Sequence, residues 1–200
     1  ACEAFEPRHR GGRLRLSKVR ITGGEWRSRL IQVADAPGLR PTPDRVRETL
    51  FNWLGQDLSG LVCLDLFAGS GILGFEAASR GAERVTLVER DPRVFARLRQ
   101  NAETLGDGRL EVVRADALEF IALAARQGRR YDLAFLDPPY RQDWLGRLWP
   151  VLPPIMNAEG RLYVEAEETV DPPAPWETER SGKAGQVHYH LFELEAEPST

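Results

Sequence analysis

The chain has 200 residues, 42% of them hydrophobic and 28% charged, with a formal net charge of -3. That length suits one domain with its own core, and no apolar run reaches the roughly 20 residues a membrane-spanning helix needs. Collagen-like, wholly disordered and helical membrane classes are excluded.

The first expected elements are strands at Lys18 to Thr22 and Arg29 to Val33, a basic hairpin around Gly23-Gly24. Thr42 reads as the N-cap of a helix running to Leu54, with Pro43 in its first turn and Val46, Leu50, Trp53 and Leu54 as one apolar stripe. Strand-like runs then follow at Val62 to Leu66, Arg84 to Glu89, Leu110 to Arg114, Asp132 to Leu136 and Arg161 to Glu165. Between and after them, Gly71 to Arg80, Pro92 to Leu105, Leu118 to Ala125 and Asp143 to Leu152 have helical patterns. Continuous apolar strands spaced by helices imply a parallel sheet covered on both faces, hence a doubly wound α/β fold. Trp176 to Arg180 and Gln186 to Glu195, joined through residues 181–185, read as an antiparallel edge hairpin, completing a mostly parallel seven-stranded sheet. Residues 1–41 are expected to form a basic arm and hairpin, and residues 42–200 the α/β domain.

Charge is distributed unevenly. The first 47 residues carry 11 Lys and Arg against 5 Asp and Glu, and the remainder carries 16 against 25. A basic arm on an acidic body suits a local contact with phosphates, although a solvated tail has the same composition. Only two cysteines occur, Cys2 near the start and Cys63 in an apolar run, so neither a disulfide framework nor a metal site is expected. The first ten residues include basic side chains but no apolar segment of the kind a secretory signal has, so a cytoplasmic location is expected.

Three constellations carry chemistry. Gly69, Gly71 and Gly74 follow a strand and open a helix in G-x-G-x-x-G spacing, and Glu89 ends the next strand where an acid can bind a ribose hydroxyl pair. This pattern alone permits a nicotinamide dinucleotide, or a glycine turn needed only for packing. Asp65, at the strand end beside the turn, would repel a pyrophosphate and attract the ammonium of an amino acid, which favours S-adenosylmethionine. Asp116 follows the third strand of the sheet, where it serves either the adenine amine or the N-terminus of the next helix, and Ala117 beside it leaves room for a ring. Finally, Asp137-Pro138-Pro139-Tyr140 follows an apolar strand at the carboxyl edge of the sheet, where two prolines restrict the backbone. A carboxylate and a backbone carbonyl there can orient a poorly nucleophilic exocyclic amine, and Tyr140 can stack on an extruded base.

Asp65 to Gly71 together with Asp137 to Tyr140 resemble the class I S-adenosylmethionine-dependent methyltransferases of Rossmann-like fold that modify exocyclic or amide nitrogens. More narrowly, the stretches Ile21 to Leu30, Gly38 to Leu54 and Lys183 to Val187 resemble the bacterial 16S ribosomal RNA guanine-N2 methyltransferases, a likeness running from about Val19 to about Glu195. The resemblance implies that Asp65, Gly69 and Gly71 line the methionine end of the cofactor, with Phe67, Ala68 and Arg90 also binding it. It further implies Glu89 at the ribose, Asp116 and Ala117 at the adenine, and Asp137, Pro138, Pro139 and Tyr140 at the target base, with Asp137 also touching the cofactor. Arg13, Arg15, Lys18, Arg20, Arg27, Arg29, Arg40 and Arg45 become the expected RNA contacts, and Arg47 is drawn toward the same role. The implied partner is small-subunit ribosomal RNA in an assembling particle, methylated by a monomer at the position equivalent to guanine 966. Methylation of protein glutamine or DNA adenine, or RNA binding without catalysis in an assembly factor, are the alternatives. His188 and His190 share a strand face without a third ligand nearby, so packing is expected of them rather than metal binding.

Overall fold

The computed structural model describes residues 17–195, so Cys2, Arg13 and Arg15 lie outside the described residues. Strands β1 (Ser17–Arg20) and β2 (Leu30–Val33) form the expected antiparallel hairpin, whose inner side chains Ile21, Trp26 and Ile31 join the main hydrophobic core. Helix α1 spans Asp44–Leu54. Thr42 does not cap it: Pro43 holds the cap position without a side-chain hydrogen bond, and the Thr42 hydroxyl instead donates across the molecule to Glu165. The helical ladder starts one residue later than expected, with the Arg47 N–H on the Pro43 carbonyl at 3.0 Å, so Thr42 precedes the cap. Of the expected stripe, Val46, Leu50 and Leu54 are buried and Trp53 half-buried, while Phe51 joins them inside.

The body alternates β3 (Val62–Asp65), α2 (Ile72–Ser79), β4 (Arg84–Glu89), α3 (Pro92–Leu105), β5 (Leu110–Arg114), α4 (Ala117–Arg126) and β6 (Tyr131–Leu136). A short α5 (Trp144–Leu148), a 3-10 turn at Pro153–Ile155 and β7 (Met156–Ala166) follow. Helix α5 stops four residues short of the expected end, because Pro150 lacks the N–H that would bond the Gly146 carbonyl and continue the ladder. The edge hairpin is β8 (Trp176–Ala184) with β9 (Val187–Leu194). Residues expected to form its loop are mostly strand. Gly182 sits beneath the Tyr189 ring, which fills the space a side chain would need, and the true turn is at Gly185-Gln186.

The sheet order is β5-β4-β3-β6-β7-β9-β8, parallel from β5 to β7 and antiparallel through β9 and β8. Successive strands run outward from β3 to β5 and then restart at β6 on the other side. This switch between β3 and β6 opens a crevice at their carboxyl ends, the usual ligand position in open α/β sheets. Every residue of α2 is buried, because the N-terminal hairpin covers its outer side. Glu25 and Trp26 donate backbone N–H groups to the Ser79 carbonyl and hydroxyl at 2.7 and 2.8 Å. Gly24, at φ 76, meets the Ser79 carbonyl so closely that no side chain fits.

Candidate active site

Four carboxylates end or follow adjacent strands at the carboxyl edge: Glu89 of β4, Asp65 of β3, Asp137 after β6 and Glu165 of β7. Register sets their spacing. Asp65 pairs with Phe135, and Leu136 pairs with Val164, so Asp137 and Glu165 are the next residues on neighbouring strands. The turn from β3 to α2 is self-braced, with the Gly71 N–H on the Ala68 carbonyl at 2.7 Å and the Ala68 N–H on the Val88 carbonyl at 2.9 Å. Gly71 has φ 84, and the Leu98 and Phe75 side chains occupy the space a Cβ would need, so only glycine suits this position. Phe67 projects from the same turn against Trp144, ring centroids 5.1 Å apart.

Asp65 is buried, and one carboxylate oxygen accepts the Gly74 N–H in the first turn of α2 at 3.0 Å. Among the described residues no hydrogen bond reaches its other oxygen. Burial pushes its carboxyl up to about 7; the Gly74 bond opposes this, and the charges of Glu89 and Glu165 add to it. Glu89 accepts the Gly69 N–H at 3.0 Å on one oxygen and the Asp91 N–H at 2.7 Å on the other. It thereby holds the glycine turn, and each oxygen, accepting one described hydrogen bond, can accept another. Asp116 caps α4 through the Leu118 N–H at 2.9 Å, and its second oxygen lies 3.9 Å from exposed Arg90. Capping therefore engages one oxygen and leaves the other without a backbone donor among the described residues. Ala117 is buried behind it.

Asp137 stands at the crevice floor, where burial first and then the charges of Glu165 and Asp65 hold its carboxyl well above the usual range. Pro138 is buried beside it, Pro139 is exposed, and Tyr140 leaves 45% of its surface open. Burial raises the Tyr140 hydroxyl, and so do the charges of Asp137, Glu165 and Glu167, against the opposing Arg40 charge. Three residues to which the sequence pattern assigns no place in the site belong here. Glu165 accepts the Thr42 hydroxyl at 2.6 Å and the Tyr163 hydroxyl at 3.0 Å, both on Oε1. The signal that could have found Glu165 is its place at the end of an apolar strand, as with Asp65 and Glu89. Tyr163, two residues before Glu165 on β7, shares its strand face by alternation, whereas Thr42 carries no such signal, because its contact crosses the fold.

Lys18, Arg20, Arg27, Arg29, Arg40 and Arg45 are exposed, and Arg20 reaches Asp44 at 3.1 Å. Arg47 is fully buried, pairs with Asp44, and lies 3.5 Å from Glu76, so it is no RNA contact. Glu76 also pairs with buried Arg80 and accepts the Thr22 N–H and hydroxyl at 2.8 and 2.9 Å, which fastens the hairpin to α2. His190 is buried, stacks on Phe192 and accepts the Val170 N–H at 3.2 Å, a packing role. No cluster of metal-binding side chains and no helix long and apolar enough to cross a membrane occurs among the described residues.

A protein-family profile described as conserved hypothetical protein 95 matches residues 19–193. Ribosomal RNA small subunit methyltransferase D of Escherichia coli K12 is 44% identical over 199 residues, 96% of each chain. The protein of the same name from Haemophilus influenzae is 38% identical over 88% of this chain and 94% of its own. A solved Escherichia coli structure described as a methyltransferase superposes with TM-score 0.81 at 44% identity, covering 90% of this chain and all of that one.

Proposed function

The chain belongs to the conserved hypothetical protein 95 family, and we propose that it methylates the exocyclic N2 amine of a guanine in 16S ribosomal RNA, at the position equivalent to guanine 966. The supporting observation is the row of Asp65, Glu89 and Asp137 at the carboxyl ends of adjacent strands, beside half-exposed Tyr140. S-adenosylmethionine fits the crevice. The second oxygen of Asp65 accepts no described hydrogen bond and suits an amino-acid ammonium, and Glu89 offers lone pairs to two ribose hydroxyls while holding the turn. Asp116 faces the adenine amine.

When bound, S-adenosylmethionine supplies an electrophilic methyl: the amine lone pair forms the N–C bond, the C–S pair stays on sulfur, and the nitrogen then carries a proton to release. This chain's residues make that displacement possible by holding the nitrogen. The Asp137 carboxylate accepts one amine hydrogen, the adjacent proline-fixed backbone carbonyl accepts the other, and Tyr140 stacks on the extruded guanine. Exposed Lys18, Arg27, Arg29, Arg40 and Arg45, with Arg20, approach phosphates, which is a sequence-independent contact that docks the enzyme while the Asp137 pocket selects the base. The enzyme acts as a cytoplasmic monomer on an assembling small-subunit particle.

The test is methyl transfer from radiolabelled S-adenosylmethionine to small ribosomal particles lacking the modification, to their naked RNA, to DNA and to ribosomal protein. Label in the RNA, lost with Asp137→Ala while cofactor binding persists, is expected. Label in protein or DNA would assign the same site to a glutamine or adenine.

A further inference from the structure

Glu165 is 4% exposed, and among the described residues it has no cationic partner. Burying a carboxylate without a counter-charge is costly, and a structural hydrogen-bond node would not need the charge. A glutamine carbonyl could accept the Thr42 and Tyr163 hydroxyls equally well. Both hydroxyls are themselves nearly or fully buried, converge on Oε1, and leave Oε2 without a described donor. In-register pairing of β6 with β7 places Glu165 directly beside Asp137, on strands about 4.8 Å apart.

We propose that Glu165 is a positioning residue that acts through Asp137: held as a carboxylate by Thr42 and Tyr163, its charge makes Asp137 basic enough to take the proton released by the methylated nitrogen. This rests on the reading of Asp137 as the group beside the target amine. The proton passes from nitrogen to the Asp137 carboxylate, leaving a neutral methylamine and a neutral acid, and then to solvent. Burial, Glu165 and Asp65 all act on Asp137 in the direction this requires. Burial raises the Glu165 carboxyl above its ordinary range, and the Thr42 and Tyr163 hydroxyls act against that rise, in favour of the charged form. The groups facing Asp137 are Asp65 from β3, Glu165 and Tyr163 from β7 and Tyr140 from its own turn, with Arg40 and Glu167 acting on Tyr140. Of the two neighbouring carboxylates, Glu165 on β7 raises Asp137 more than Asp65 on β3 does.

The experiment is Asp137 titration by carboxyl-carbon NMR in the ligand-free protein, together with the pH profile of single-turnover methyl transfer to unmethylated small particles. Wild type and Glu165→Gln are compared. In wild type both midpoints should lie well above 4, the ordinary carboxylate range. In Glu165→Gln both should move to lower pH by at least about one unit, with S-adenosylmethionine affinity at pH 8, where Asp65 is ionised in both proteins, within about twofold, since a neighbouring charge is removed. A wild-type Asp137 that titrates near 4 overturns the proposal whether or not the variant folds. A rate reduced at every pH with an unmoved midpoint also overturns it, leaving Glu165 as scaffolding. Wild type that methylates no RNA would refute the functional reading instead, while the NMR titration would still decide the role of Glu165.

Discussion

The proposed contact of Asp65 with the cofactor ammonium predicts that affinity depends on pH in a range where few carboxylates titrate. Its carboxyl lies at about 7, mainly through burial, and only its ionised form attracts the ammonium of S-adenosylmethionine or S-adenosylhomocysteine. Binding must therefore expel the Asp65 proton at low pH. The sign follows: affinity is full above about 7.5 and falls as pH drops through 7, approaching tenfold per unit. Between pH 8 and pH 5 the loss approaches 100-fold, or about 2.7 kcal/mol. Titration calorimetry with S-adenosylhomocysteine in buffers of different ionisation enthalpy measures both the dissociation constant and the released proton. Asp65→Asn keeps an acceptor for the Gly74 N–H but cannot ionise, so its affinity should be weak and flat across the same range. A wild-type dissociation constant that varies less than threefold from pH 7.5 to 5 would refute the reasoning, as would an unchanged pH dependence in Asp65→Asn.

Other expectations concern the base, the arm and the core. Tyr140→Phe should retain most methyl transfer, whereas Tyr140→Ala should lose about 1 to 3 kcal/mol of substrate stacking, read from kcat/KM; equal damage would assign the role to the hydroxyl. Replacing exposed Arg27 and Arg29 with glutamine should weaken particle binding and flatten log affinity against log salt, by about 0.7 to 0.9 for each phosphate no longer neutralised, while cofactor affinity stays fixed. An unchanged slope in filter-binding titrations would leave the hairpin without a phosphate role. Glu76→Ala strands the buried guanidiniums of Arg47 and Arg80, so thermal unfolding should show a loss of about 3 to 5 kcal/mol. A loss below about 1 kcal/mol would mean that neighbouring acceptors or water replace the carboxylate.

The doubly wound sheet is legible in the sequence because its strands are continuous apolar runs separated by helical patterns, and α3 begins and ends where Pro92 and Leu105 place it. Asp65, Glu89 and Asp137 are legible because polar residues ending apolar strands fall at the ligand edge. Less local features are not. Thr42 carries the local pattern of a cap, yet its hydroxyl serves Glu165, which is 123 residues away in sequence. Arg47 sits among surface-like charges in the sequence, and only the packing of α1 against α2 reveals it as a buried partner of Glu76. Gly182 has the local character of a loop residue, because a strand glycine is explained only by the Tyr189 ring opposite it. In each case a tertiary partner overrides a local preference.

The most direct measurement of the central claim is nucleoside analysis of unmethylated small ribosomal particles after incubation with this protein and methyl-labelled S-adenosylmethionine. Labelled N2-methylguanosine at a single 16S position is the expected product, with none formed by Asp137→Ala. Label recovered as N6-methyladenosine, in a ribosomal protein, or not at all would contradict that claim.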